Sequence, residues 1–192
     1  MLRTLYNRTL ALAQSKHALW VLAVVSFFEA SVFPIPPDAL LIPMVLATPK
    51  RAWLIAGITT VCSVLGGALG YVFGAFLYDE LGIKILEAYG KTDAFTQFSD
   101  VYNEYGPLVL LVSGLTPFPF KATTILSGAT SLNFVTFMGF NLIARGLRFY
   151  IVAALLWKFG PPVKDFIEKR LALVFTIGLT LLIGGFLVLW VF

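Results

Sequence analysis

The chain has one cysteine, one histidine and only 12% charged residues among its 192. Cys62 alone excludes an internal disulfide. Cys62 and His17 are too few for a His/Cys metal cluster. No Ser/His/Asp set and no paired intramembrane Asp motif stands out, so neither an enzyme nor a cofactor is expected. Soluble domains carry about 25% charged residues. The low charge, 59% hydrophobic content and mean hydropathy of +0.89 exclude a soluble domain and identify an all-α integral membrane protein.

What is present is a set of apolar runs with two internal breaks. Residues 18–33 are apolar, and Pro34-Ile-Pro36-Pro37-Asp38 interrupts them before a second run, 39–48. At 1.5 Å per residue that second arm reaches about 15 Å, against about 30 Å of hydrocarbon. Residues 18–48 are therefore expected to form a re-entrant hairpin. A full span is expected over 52–78, where Gly66, Gly70 and Gly74 form a smooth helix-packing stripe. Residues 79–106 are polar and amphipathic and read as a surface helix.

The pattern then repeats. Pro107–Thr116 reads as an arm, Pro117-Phe-Pro119-Phe120 as a tip, and 121–132 as the return. Pro34 and Pro117 stand 83 positions apart, and an ionisable residue followed by Ala lies four residues after each (Asp38, Lys121). Asn133 is expected to cap a second span, 134–157. A charged connector, 158–170, leads to a third span, 171–192. Residues 1–16 suit an amphipathic helix on the membrane surface. Arg3, Arg8 and Lys16 precede the first apolar run as in a signal peptide, but Glu29 interrupts it, so a retained anchor is expected. The membrane domain covers 17–160, with repeats 18–78 and 107–157 facing each other in an inverted arrangement. Broken helices at corresponding positions of two halves point to a transport site.

Lys and Arg counts set the sidedness. Arg3, Arg8, Lys16, Lys50, Arg51, Lys158, Lys164, Lys169 and Arg170 fall in segments expected on the cytoplasmic side, together with the N-terminus. The 79–106 segment holds six acids against Lys84 and Lys91 and is expected outside. The same parity puts the C-terminus outside.

Glu29, Asp38, Lys121, Arg145 and Arg148 lie within the apolar segments. Each costs about 2.5–3.5 kcal/mol at a helix centre, so such residues pair with one another or serve a function. Arg145 and Arg148 share a helix face, and Asn141 precedes Arg145 by one turn. Guanidinium forks beside Lys121 suit a phosphate. Asp38 reads either as the N-cap of a helix from Ala39 or as a counter-ion to Lys121 or Arg145. Glu29 reads as a proton-coupling or pairing residue. The arginines read as headgroup ligands or as structural partners of the two acids.

These residues resemble the DedA family of small bacterial membrane proteins, which share the VTT domain. The resemblance covers about 18–160. It rests on Glu29, Pro34-Ile-Pro-Pro-Asp38, Gly114-Leu-Thr-Pro-Phe-Pro-Phe-Lys121, Leu126-Ser-Gly-Ala129, Asn133-Phe134 and Ala144-Arg-Gly-Leu-Arg-Phe-Tyr150. The last stretch is similar to the shorter YqaA-like branch. The resemblance implies facing re-entrant hairpins and lipid movement between leaflets of the bacterial inner membrane, with phospholipids or polyprenyl phosphates as substrates and protons as coupling ion. The family's second hairpin usually carries two arginines; here Lys121 takes the second place and Leu115 the first.

The expected function is translocation of an anionic lipid whose headgroup meets Lys121, Arg145, Arg148 and Asn141, with Glu29 or Asp38 resetting the site. Loss of activity is expected for Arg148→Ala but not for Phe149→Ala. A proton-coupled exporter of small solutes and a non-transporting assembly protein are the rivals. Expected partners are membrane lipids and protons, with self-association left open and nucleic acid excluded.

Overall fold

The computed structural model describes residues 17–31, 36–115 and 120–169, and every element among them is helical. The segments 1–16 and 170–192, together with Pro34, Pro117 and Pro119, lie outside the described residues. Among the described residues two helices are long and apolar enough to cross a membrane. One is α3, Ala52–Leu77, whose 26 residues reach about 39 Å. The other is α7, Phe134–Lys169, apolar as far as Gly160. Asn133 caps α7: its Oδ1 accepts from the backbone N–H groups of Val135 and Thr136, both at 3.0 Å. Near its far end α7 kinks at Phe159, ahead of Pro161 and Pro162, which cannot donate to the helix ladder.

Shorter helices flank these two. The first pair is α1, Ala18–Ser31, and α2, Asp38–Ala47. A single tight turn, Pro49–Arg51, joins α2 to α3. Beyond α3 a wide turn, Tyr78–Gly82, leads into α4, Ile83–Ala88, and Gly90 then adopts φ +62° to reverse the chain. The second pair is α5, Thr92–Leu115, and α6, Phe120–Ala129.

Two boundaries differ from the sequence expectation. No separate arm begins at Pro107: α5 runs unbroken through it, half-polar before Gly106 and apolar after. Neighbouring polar groups and packed helices offset the single hydrogen bond a proline removes. Asp38 is not an N-cap either. The helix starts one residue earlier than expected, Pro37 occupies the capping position, and no side chain caps it.

The arms of each pair pack less on each other than on the long helices. α1 lies along α3, and α5 along α7; α2 lies on α7, and α6 on α3. Each first arm thus packs on the long helix of its own half, and each second arm on that of the other half. One apolar cluster collects Ala18, Leu22, Met44, Ala52, Ile55 and Leu156, the beginnings of α1 and α3 with the ends of α2 and the apolar part of α7. A second cluster, Leu110, Phe120, Leu132 and Phe137, joins α5, α6 and the start of α7. Lys50, Arg51 and Lys158 lie exposed beside the first cluster, whereas the acids Asp79, Glu80 and Glu87 follow the opposite end of α3.

Candidate functional site

Where α1 ends and α2 begins, both embedded acids meet α7. Arg145 Nη2 donates to Glu29 Oε2 at 2.7 Å, and Arg148 Nη2 donates to Asp38 Oδ2 at 2.6 Å. The i, i+3 spacing turns both guanidiniums toward the first helix pair. Asp38 therefore pairs with Arg148, not with Lys121 or Arg145. The neighbouring Ala30 abuts Gly66, which is 14 residues, or about 21 Å, into α3. The pairs lie deep along the bundle, far from either end of α3.

The two arginines differ in cover. Arg145 is only 1% exposed. Its guanidinium carbon lies 4.1 Å from the centroid of Phe120 and 5.6 Å from that of Phe149, so two aromatic faces complement its charge. Its Nε has no hydrogen-bond partner among the described residues. Phe149 is fully buried in this arrangement, so Phe149→Ala is not the neutral control that the sequence suggested. Arg148 keeps 25% of its side chain exposed.

Asn141 is fully buried and faces α3. Its Nδ2 donates to the Val64 carbonyl at 3.3 Å and sits 2.6 Å from where a Cβ on Gly67 would lie. Its Oδ1 has no partner among the described residues. Lys121, in the first turn of α6 beside Phe120, is half-buried and has no carboxylate partner among the described residues. Leu115 is exposed on the outer surface. Pro36 is exposed and Pro37 buried, and their carbonyls accept the first N–H groups of α2.

Gly66, Gly70 and Gly74 form the track on which the short helices rest. A Cβ on Gly66 would collide with the Phe27 carbonyl of α1, one on Gly74 with the Ile125 carbonyl of α6, and one on Gly70 would stand 2.5 Å from Thr124 Oγ1. Gly128 of α6 faces the Tyr71 carbonyl in the same way. Close approach of this kind is what small residues permit in a bilayer.

Sequence reading missed a hydroxyl network between α5 and α6. Tyr102 donates to the Thr123 carbonyl at 3.2 Å and shares a 3.0 Å bond with Ser127 Oγ; Ser113 and Thr123 hydroxyls are 3.0 Å apart. Asn103 Nδ2 donates to the Thr130 carbonyl at 2.8 Å. Its signal was legible: Thr123, Ser127 and Thr130 recur at helical spacing in an otherwise apolar stretch.

Residues 33–158 match the VTT domain. The chain belongs to the VTT-domain, or DedA, family. It is 35% identical over 152 residues to an uncharacterised protein of Haemophilus influenzae, covering 79% of each. It is 34% identical over 169 residues to a Histophilus somni protein described as an uncharacterised homologue of HI0703, covering 86% of this chain and 88% of that one. No solved structure matches it significantly. VTT-domain membership and the apolar helices make it a membrane protein.

Proposed function

We propose that this VTT-domain protein translocates an anionic lipid between leaflets, with the headgroup received where the two broken helix pairs turn. The carrying observation is the charge balance there. Three cations, Lys121, Arg145 and Arg148, stand against two carboxylates, both of which are engaged by arginine, so Lys121 has no carboxylate partner among the described residues. A net positive site at such depth favours an anion. In this reading α1 and α2, about 21 Å and 15 Å long, form a re-entrant hairpin entering from the Lys50 side, and α5 and α6 form its inverted counterpart.

The difference in cover orders the steps. The headgroup meets Lys121 and the partly exposed Arg148 first, competing with Asp38. Arg145, sealed by Phe120 and Phe149, holds Glu29 and the frame. Protonation of Asp38 or Glu29 loosens its pair and resets the site. The tail stays in the bilayer, so no water-filled passage is required.

The test is lipid exchange in proteoliposomes, with labelled phospholipid and polyprenyl phosphate side by side, for the native protein and for Lys121→Ala, Arg148→Ala and Glu29→Gln. Flux that falls in Lys121→Ala and Arg148→Ala supports the reading and ranks the headgroups. Absence of flux for both lipids, with folded protein under an imposed proton gradient, turns the assignment to solute export.

A second reading has its own observation: both arginine–carboxylate pairs are closed, as a static lock requires. Exchanging the partners, Asp38→Arg with Arg148→Asp, separates the two readings. A lock regains function, whereas a headgroup site that needs the guanidinium on α7 does not.

A further inference from the structure

A groove of about 440 Å³ runs along the outer surface where α3 crosses α7, lined by Trp53, Gly146, Leu147, Tyr150, Ile151 and Ala154. Its size falls in the range of ligand pockets, about 300–1,000 Å³. The lining residues other than Trp53 occupy the face of α7 opposite the one that turns Arg145 and Arg148 inward, so this is a different site from the charge cluster. Gly146 makes its floor: a Cβ there would have only Thr60 Cγ2 nearby, at 3.8 Å, which leaves the space above open. From Gly146 to Ala154 the groove extends about 12 Å along the helix axis, close to the depth of one leaflet's hydrocarbon.

Its mouth differs chemically from its floor. Trp53 stacks on Tyr150 at 6.1 Å with planes 21° apart and contacts Trp157 at 6.1 Å, an aromatic group of the kind found at membrane interfaces. Lys50 and Arg51 precede Trp53 by two or three residues and are exposed. Another apolar groove on the surface, lined by Tyr105, Leu108, Val109, Val112 and Ser113, has the exposed acid Glu104 beside it instead.

We infer that the α3/α7 groove is a binding site for an anionic phospholipid of the adjacent leaflet, one acyl chain lying over Gly146 and the headgroup held by Lys50 and Arg51. An apolar trench headed by two cations at an aromatic interface complements both parts of such a lipid, and a zwitterionic lipid, whose own cation offsets its phosphate, gains less from them. The bound lipid is a resident of the surface, not cargo, so its occupancy is read without any transport measurement.

The experiment uses full-length protein with Trp53 as sole tryptophan (Trp20→Phe, Trp157→Phe, Trp190→Phe) in vesicles mixing chain-brominated phosphatidylglycerol or phosphatidylcholine with unbrominated lipid. The relative association constant at Trp53 comes from bromine quenching. A preference of at least about fivefold for the anionic lipid is expected, the factor that even one of the two basic residues near the surface contributes. Adding Lys50→Ala and Arg51→Ala should bring it to about one. Gly146→Leu, which has room for its side chain, should reduce quenching by both lipids. Equal quenching by the two lipids in the parent, or a preference that survives loss of both cations, overturns the site. Shielding of Trp53 from both lipids would place a second copy of the chain in the groove and overturn it as well.

Discussion

The first helix pair and the second are held to the long helices by different physics. α1 and α2 bring the two acids, and α7 answers each with an arginine. α6 carries no carboxylate; it is seated on α3 by glycine against carbonyl, at Gly74 with Ile125 and Gly128 with Tyr71, and is tied to α5 by hydroxyls. A proton or a competing anion can open an ion pair. Backbone contact cannot be opened without separating the helices. Under the proposed function the first pair is thus the half suited to release and reset, and the second is the frame it works against.

The largest expected loss comes from the sealed ion pair. Glu29→Ala would leave the Arg145 guanidinium buried and uncompensated, a change worth about 3–5 kcal/mol. The thermal midpoint in detergent should fall further for Glu29→Ala than for Asp38→Ala, because Arg148 is a quarter exposed and can be solvated. Equal losses would mean that the difference in cover has no energetic weight.

Next comes the frame. Gly128→Ala places a methyl group against the Tyr71 carbonyl, which belongs to rigid helix backbone, so α6 must move off α3. Overpacking of this kind costs about 1–3 kcal/mol. Gly139→Ala, where nothing lies within 4 Å of the new Cβ, is the control and should cost nothing measurable. A Gly128→Ala protein as stable as the control would break the claim that α6 is fixed by backbone contact.

A smaller effect is expected at the α5/α6 network. Tyr102→Phe removes a hydroxyl that serves both the Thr123 carbonyl and Ser127, while Ser127 Oγ still donates to Thr123 at 2.7 Å. Because one partner remains satisfied, the loss should be about 1 kcal/mol, read from the same unfolding measurement.

Much of this contrast was legible in the chain. The two long helices and the Asn133 cap follow from apolar run length and from the residue type at the start of the second run. The i, i+3 spacing shows that Arg145 and Arg148 look the same way, but not which acid each meets. That depends on where α2 returns along α7, which no local pattern encodes. Pro107 misled for a related reason. Proline weakens a helix by a fixed local amount, and packing of α5 on α7 decided the outcome. Of the two rings over Arg145, Phe149 stands one turn along the same helix and was legible, whereas Phe120 comes from α6 and meets Arg145 only in three dimensions.

Lys121 should show the smallest effect on stability and so sharpens the comparison most. Lys121 is half-buried and has no carboxylate partner among the described residues, so it adds nothing to the frame, and a charge at the centre of a bilayer costs about 2.5–3.5 kcal/mol on insertion scales. Lys121→Gln should therefore leave the thermal midpoint unchanged or raise it. Under the proposed function the same substitution removes the site cation that has no carboxylate partner among the described residues, so lipid flux should fall while stability does not. A midpoint that drops as far as that of Glu29→Ala would give Lys121 a structural partner and move the second helix pair into the same class as the first. Unchanged flux with unchanged stability would take Lys121 out of the headgroup site and leave Arg148 as the first contact.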